Sequence, residues 1–503
     1  MPSIRRYFRM LGMEIPLCLY MLGSYLKYPV FQNLIFEKEC LRKYDQNVTF
    51  CRDVTAYYDD KDIQSASNHF YFISSLVLMV PSLVTTLLLG AATDYWSMKI
   101  PLVIPYIGCI AGSVNYVLQS YFLHADVNLL LISDALFGVC GGFIAIISTT
   151  LTYGVKTSLI RHRSYRIAGI EGAIGLGGTI GYALSGTIRE ACGYVYTFVI
   201  ILALEVVALL YLLILAKESH FEPIERDSEQ CLLLPPESNR KSYTEPVGTI
   251  THNRPALLKA TGKHLANVVV EFYKVLSKER KFRAVLCLNL IAFGVELLIF
   301  AGLADIQYSY LRYELKWGDK KYGWFSGLSY GITTATVLLL YPLLRMKFFS
   351  DGILGCLGLT TKIASLFMFA FVQNEYMAFS ITIVMMFNRF VSTGFRAFIS
   401  SVIEMHEQGK IFSVISLLEG ATSLAATSIF NNVYPKTLDF FPGLLYLISA
   451  CLLIIPLTIL GFVLQVYLIF LPRISDRVVR SRQSPEYSED VLGSHNDVID
   501  ESD

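Results

Sequence analysis

Apolar residues gather into twelve runs, each close to the ~20 residues that a helix needs to cross the hydrocarbon core of a bilayer, and charged residues gather between them. The runs cover 11–36, 70–91, 100–122, 128–153, 167–188 and 195–216, then 282–306, 322–344, 352–372, 376–403, 411–433 and 441–471. Six runs, a polar linker and six more predict an all-α polytopic membrane protein of twelve transmembrane helices. One six-helix bundle occupies 11–216 and a second 282–471. Polar segments complete the plan: 1–10 at the start, a loop at 37–69, the linker at 217–281 and a tail at 472–503.

The fifth run carries the densest pattern. In RSYRIAGIEGAIGLGGTIGYALSG, residues 163–186, Gly169, Ala173, Gly177, Gly181 and Ser185 recur every four residues. They form a strip on which another helix backbone can approach closely. Glu171 lies two residues from Gly169, roughly 200° around the helix, and so points away from that strip. A carboxylate facing lipid is costly, so Glu171 is read as a protonatable group on a water-filled path. The bland alternative is a structural carboxylate bonded to a neighbouring helix.

Other ionisable residues inside the runs need an account too. Lys27 in the first run and Glu296 in the seventh each lie about 15 residues from the start of their helix, roughly 22 Å along it. They occupy equivalent depths in the two halves, and either meet as an ion pair near the centre or snorkel separately. Arg389 and Arg396 are seven residues apart in the tenth run and project from one face. That face suits an organic anion, since Arg holds carboxylates bidentately and keeps its charge; a charge clamp between helices is the competing account. Glu205, Asp305, Lys362 and Glu419 are lesser candidates.

Composition agrees with a membrane protein: 54% of residues are hydrophobic and 17% charged, too apolar for a soluble surface. The net charge of +1 and the absence of a basic patch exclude a nucleic-acid partner. Charge reports orientation instead. Arg5, Arg6 and Arg9 before the first run, and Lys156, Arg161 and Arg163 between the fourth and fifth, predict cytosolic termini. The first run has no small-residue cleavage site and is read as an uncleaved span.

Parity then places the 37–69 loop outside or in a lumen, where Asn47-Val48-Thr49 forms a glycosylation sequon between Cys40 and Cys51. No metal-ligand spacing and no cofactor motif occurs, and no catalytic cluster marks an enzyme. Within the linker, Val269, Phe272, Tyr273 and Leu276 lie opposite Lys274, Lys278 and Lys281, as in a basic interfacial helix or an extension of the seventh span. Glu229, Leu233 and Leu234 fit an acidic dileucine pattern that sorting adaptors read in endosomal and lysosomal trafficking.

After the second run comes GAATDYWSMKIP, residues 90–101, a partial match to the gating motif of major facilitator transporters that keeps Asp94 and Lys99. Three stretches are more specific: RSYRIAGIEGAIGLGG, FRAFISSVIEMHEQGKIFSVISLLEG and SIFNNVYPKTLDFFPGLLYLISACLLIIP. They resemble the proton-coupled folate transporter family, which includes thymic stromal cotransporter-like and lysosomal members. The resemblance implies the major facilitator 6+6 fold, with Glu171 as the proton-coupling carboxylate and Arg396 as an arginine binding proton and substrate. Phe300 stands where the folate-transporting member has a histidine, and Gly142 where it has an aspartate. That member's later loop cysteine has no counterpart near Lys316, so the resemblance leaves Cys40 and Cys51 as the disulfide pair.

These features together predict a secondary active transporter, a proton-coupled symporter of a folate-like or other small organic anion, working by alternating access in the plasma membrane or an endosomal or lysosomal membrane. The alternative is a transporter-like receptor or scaffold that carries no flux, a reading kept open by the incomplete gating motif and the acidic tail.

Overall fold

The computed structural model describes residues 12–44, 47–53, 56–95, 99–156, 163–215, 283–347, 349–402 and 408–465. Among them the regular structure is entirely helical. With no water in the hydrocarbon to satisfy backbone groups, a spanning segment must close its hydrogen bonds within itself.

In chain order the long rods are α1 (Glu14–Lys43), α2 (Lys61–Tyr95) and α3 (Lys99–Tyr121). Rod α4 is built from Leu131–Val139 and Gly142–Lys156. The helix Arg163–Leu215 is two rods, α5 (163–192) and α6 (194–215), divided at Gly193 with φ 76° and ψ 177°. That backbone region is essentially closed to residues with a Cβ. Next come α7 (Arg283–Leu315) and α8, which runs from Asp319–Ala335 through a π turn at Thr336–Leu340 into Tyr341–Lys347. Rod α9 is Asp351–Ala370, and α10 joins Glu375–Val384 to Asn388–Val402 through a 3-10 turn. Finally α11 is Gln408–Thr437 and α12 begins with Leu444–Leu452.

Nine segments among the described residues are long and apolar enough to span a membrane. One of these, Gly169–Ile214, contains both α5 and α6. The protein is thus an all-α, multi-pass membrane protein.

Several helices overrun the apolar runs. Rod α1 continues past Phe36 to Lys43, and α2 starts at Lys61, well inside the expected 37–69 loop. The runs stop at charged residues, but Glu37, Lys38 and Glu39 are buried by packing and do not end the helix. Lys38 Nζ caps the end of α3, donating to the carbonyls of Phe122, Leu123 and Ala125 at 3.1, 3.3 and 3.0 Å. Burial pushes its ammonium down to about 8. Cys40 and Cys51 are joined as a disulfide with Cα atoms 5.7 Å apart. The Asn47 side chain between them accepts from the backbone N–H of Phe50 and the hydroxyl of Thr49. The end of the bundle carrying residues 44–60 is called the loop end below, and the opposite end the linker end.

Small residues set the helix contacts. A Cβ on Gly177 would lie 2.7 Å from Cys18 O, and one on Gly181 2.5 Å from Leu22 O, so the four-residue strip of α5 receives the backbone of α1. A second row on α5 meets α8: a Cβ on Gly175 would lie 2.1 Å from Thr334, and one on Gly186 2.2 Å from Lys320. Rod α5 is therefore wedged between α1 of its own bundle and α8 of the other, while α2 packs against α11. Leu176, Ile180 and Leu184, on the remaining face of α5, are exposed, as lipid-facing side chains would be.

The dileucine residues Glu229, Leu233 and Leu234, the amphipathic linker segment and the tail lie outside the described residues, as does the Asp94 side chain.

Candidate functional site

The polar lining between the bundles is aromatic. Tyr25 and Tyr28 of α1, Tyr182 of α5 and Tyr330 of α8 converge, with Tyr25 ring centroids 4.9 Å from Tyr182 and 5.0 Å from Tyr330. The Tyr25 and Tyr330 hydroxyls share a 2.5 Å hydrogen bond across the seam. Tyr28 Oη donates to Ala304 O of α7 at 2.9 Å. Arg389 of α10 lies over the Tyr330 ring, Cζ 4.2 Å from its centroid. The quadrupole of a π face attracts a guanidinium without consuming its donors, so Arg389 keeps N–H groups for an anion.

Glu171 is exposed and lies 7, 11 and 18 residues before Gly178, Tyr182 and Arg189. Those spacings are close to whole numbers of turns. All four occupy the face of α5 that looks into the seam: Gly178 abuts Tyr330, and Arg189 meets α8. Glu171 acts electrostatically on Tyr25, as does Arg389. A carboxylate from one bundle and a guanidinium from the other thus lie within electrostatic reach of one tyrosine.

Toward the loop end the seam is closed. Arg189 pairs with buried Asp319, Lys320 with Glu190 at 2.5 Å, and Trp324 Nε1 donates to Thr187 Oγ1 at 3.1 Å. Gln64 Nε2 reaches Ser309 O, and Ser309 Oγ donates to Asn68 Oδ1, at 3.3 and 3.2 Å.

Arg396 is engaged within its own bundle, in an ion pair with Glu419 of α11. Lys27 and Glu296 do not pair. Glu296 is bonded to Lys362 of α9 at 2.6 Å, both side chains buried, and Lys362 also lies over the Phe300 ring at 5.2 Å. Lys27 lies over the Tyr116 ring at 4.9 Å, within electrostatic reach of Asp134 and Glu205. Equal depth in two helices fixes height but not azimuth, and each charge turns into its own bundle.

Asp134 was not legible as a candidate, because it sits near the start of its run. Its carboxylate is buried and accepts from Ser74 and Tyr116, both at 2.7 Å. Glu205 accepts from Cys109 Sγ at 3.0 Å, and Asp305 from Thr427 and Asn431 at 2.7 and 3.2 Å. Lys99 Nζ donates to Leu213 O at 3.0 Å, tying the start of α3 to the end of α6. The tyrosine cluster gave no sequence signal beyond ordinary aromatic content.

Residues 59–427 match the Major Facilitator Superfamily. The chain belongs to that superfamily. Its members of known function are transporters rather than enzymes, and the described helices carry the same architecture. The chain is 26% identical over 423 residues to the human lysosomal proton-coupled steroid conjugate and bile acid symporter, spanning 82% of this chain and 84% of that protein. It is 26% identical over 404 residues to the proton-coupled folate transporter of Rattus norvegicus, spanning 80% of each. Among solved superfamily structures, the human organic anion transporter TETRAN superposes with TM-score 0.59 at 13% identity, covering 89% of this chain and 98% of that one. The peptide transporter PepTSo gives TM-score 0.59 at 12% identity, with 91% and 99% covered. These two show the shared fold.

Proposed function

We propose that this superfamily member is a proton-coupled symporter of a small organic anion, with Glu171 as the titrating carboxylate and Arg389 as the anion anchor. The observation that carries this reading is that both lie within electrostatic reach of Tyr25 of the Tyr25–Tyr330 contact, one on each bundle. A proton on Glu171 removes a negative charge from the seam, which lowers the cost of bringing an anion to Arg389 or of closing the bundles around it. The tyrosine rings offer flat apolar walls to a polycyclic or aromatic solute. Arg396, held by Glu419, joins the site when that pair opens, and Lys27 with Asp134 and Glu205 forms a polar cluster deeper in the first bundle. Asp94 and Lys99 belong to the gate at the linker end.

Relatives named for steroid conjugates, bile acids and folates support an amphipathic anion as the cargo. In this reading the loop end faces an acidic lumen or the cell exterior, Asn47 carries a glycan there, and Glu229, Leu233 and Leu234 recruit sorting adaptors on the cytosolic face.

The test is uptake into cells carrying the chain at the surface with the dileucine altered. Labelled estrone sulfate, taurocholate and folate would be presented at about pH 5.5 and about pH 7.4, a range bracketing carboxylate and imidazole titration. Acid-stimulated uptake of at least one is expected. Glu171→Gln should leave uptake insensitive to pH, and Arg389→Gln should raise KM about tenfold, the equivalent of ~1.4 kcal/mol. Saturable binding of all three probes without flux would overturn the transport reading in favour of a receptor.

A further inference from the structure

Asp134 and Glu205 are both buried carboxylates of the first bundle, and they are furnished differently. Asp134 of α4 accepts a hydroxyl at each oxygen, Tyr116 on Oδ1 and Ser74 on Oδ2, both at 2.7 Å. The Lys27 ammonium lies over the ring of that same Tyr116 at 4.9 Å. Two good donors and a nearby cation equip Asp134 to stay ionised.

Glu205 of α6 is 2% exposed. Its Oε1 accepts from Cys109 Sγ at 3.0 Å, and a thiol is a weak donor. Its Oε2 has no hydrogen bond of good geometry, although the hydroxyl of Ser113, one turn beyond Cys109 on the same face of α3, lies beside the carboxyl. Among the described residues no cation forms an ion pair with it. An ionised carboxylate there would meet its desolvation cost with one weak donor. A carboxylic acid fits better, because its O–H can donate to Ser113 Oγ while the other oxygen keeps the thiol.

Lys27 supplies the complementary part. Rod α1 packs on α6 at Gly23, where a Cβ would lie 3.7 Å from Ile201 and 3.9 Å from Leu204. Lys27 follows Gly23 by one turn, and Glu205 follows Ile201 by one turn. Tyr116, beneath the ammonium, stacks on Phe198 of α6 with ring centroids 5.6 Å apart. The ammonium therefore sits where α1, α3 and α6 meet, and among the described residues it makes no hydrogen bond or ion pair that would hold it on the ring. The other titratable groups around Glu205 are Cys109 and Tyr106 of α3 and Tyr20 of α1, with Asp134 of α4 behind Tyr116.

We propose that Glu205 is a second proton-binding residue of the transport cycle, separate from Glu171, with Lys27 as its counter-ion once the proton has left. This rests on the symporter reading above and adds one coupled proton to it. The acid forms as the loop end closes, and its proton departs to water at the linker end. The carboxylate left behind draws the Lys27 ammonium, carried on a flexible four-carbon stem, away from the Tyr116 ring. Release of the proton thereby changes the contacts of α1 with α3 and α6.

Two measurements on the purified full-length chain test this. In lipid vesicles under an imposed pH difference, with the membrane potential clamped at zero, the steady accumulation ratio of labelled estrone sulfate, taurocholate and folate reads the number of coupled protons, whatever fraction of the protein is active. Glu205→Gln, which copies the shape of the acid, should lower that ratio about tenfold for each unit of pH difference, the loss of one proton. Lys27→Met should lower it equally, since the acid then has no counter-ion and keeps its proton, and it decides the matter if Glu205→Gln does not fold. The infrared difference spectrum of wild type minus Glu205→Gln, at about pH 7.4 in detergent, should contain the C=O band of a protonated carboxyl, displaced in heavy water. An unchanged accumulation ratio in the variants, or a carboxylate band in place of the acid band, would overturn the proposal. A wild type that accumulates none of the three probes would refute the symporter reading, and the infrared band then decides separately whether Glu205 binds a proton.

Discussion

Arg189 and Asp319 join the two bundles through a pair of hydrogen bonds, Nε to Oδ2 at 2.6 Å and Nη2 to Oδ1 at 2.5 Å, with Asp319 fully buried. Removing the arginine leaves an uncompensated buried carboxylate, a loss of ~3–5 kcal/mol charged against the state closed at the loop end. Arg189→Gln should therefore raise the labelling rate of a cysteine introduced at the buried Ser326 of α8, probed with a membrane-impermeant maleimide, by about tenfold or more. Exchanging the residues, Arg189→Asp with Asp319→Arg, should restore slow labelling. Unchanged labelling in Arg189→Gln would mean that closure rests on apolar packing alone.

Two glycines of α5 differ in how tightly they are held. A Cβ at Gly181 would lie 2.5 Å from the backbone oxygen of Leu22, whereas one at Gly172 would meet only Leu338 Cδ1 at 3.9 Å. Gly181→Ala should lower stability by ~1–3 kcal/mol through forced separation of α1 and α5. Gly172→Ala should be neutral or stabilising by up to ~1 kcal/mol, since alanine favours helix. Unfolding midpoints of the two purified variants check the contrast, and equal losses would contradict the packing described.

Glu296 and Lys362 form a buried pair inside the second bundle. Lys362→Met alone should destabilise by ~3–5 kcal/mol, and Glu296→Gln with Lys362→Met should recover most of that loss. Denaturation and transport assays on both variants separate two roles. Recovery of stability with transport intact assigns the pair to structure; recovery with transport lost assigns it to the transport cycle.

At the loop end, Asp60 accepts from Lys43 Nζ and Tyr44 Oη at 2.7 and 2.8 Å. Burial pushes its carboxyl up, but these bonds and the N–H of Ile63 outweigh it and hold the group below the ordinary range. Bonds donated to Asp60 and Asp62 hold Lys43 above its ordinary value. A carboxylate with a depressed folded value contributes above its unfolded pKa of about 4 and loses that contribution as pH falls through the folded value. A lysine with a raised value contributes fully below about 10. The contact is therefore at full strength at about pH 5 and about pH 7.4 alike. Limited proteolysis between residues 44 and 60 should be equally slow at both values, and faster at both in Asp60→Asn. A loop that opens at pH 5 in the wild type would refute this.

The α5 strip shows what a linear pattern can specify. Small residues every four positions determine that some backbone must fit against Gly177 and Gly181, and α1 does. The pattern did not say that the adjoining row at Gly175 and Gly186 would meet α8, because two rows on one helix carry no label for their partners. Arg389 and Arg396 show the same limit. Their spacing places them on one face, yet one lies on Tyr330 across the seam and the other binds Glu419 within its bundle.

By itself the sequence determined the all-helical, membrane-spanning character and the superfamily, since both follow from the length of apolar runs and from local motifs that need no long-range contact. Only the tertiary structure decided the partners: Lys362 rather than Lys27 for Glu296, Asp319 for Arg189, and the ring of Tyr330 for Arg389. The physical reason is that helix periodicity fixes which residues share a face and at what depth, whereas the choice of neighbour depends on how faces from distant parts of the chain pack. In a low-dielectric interior that choice is made charge by charge.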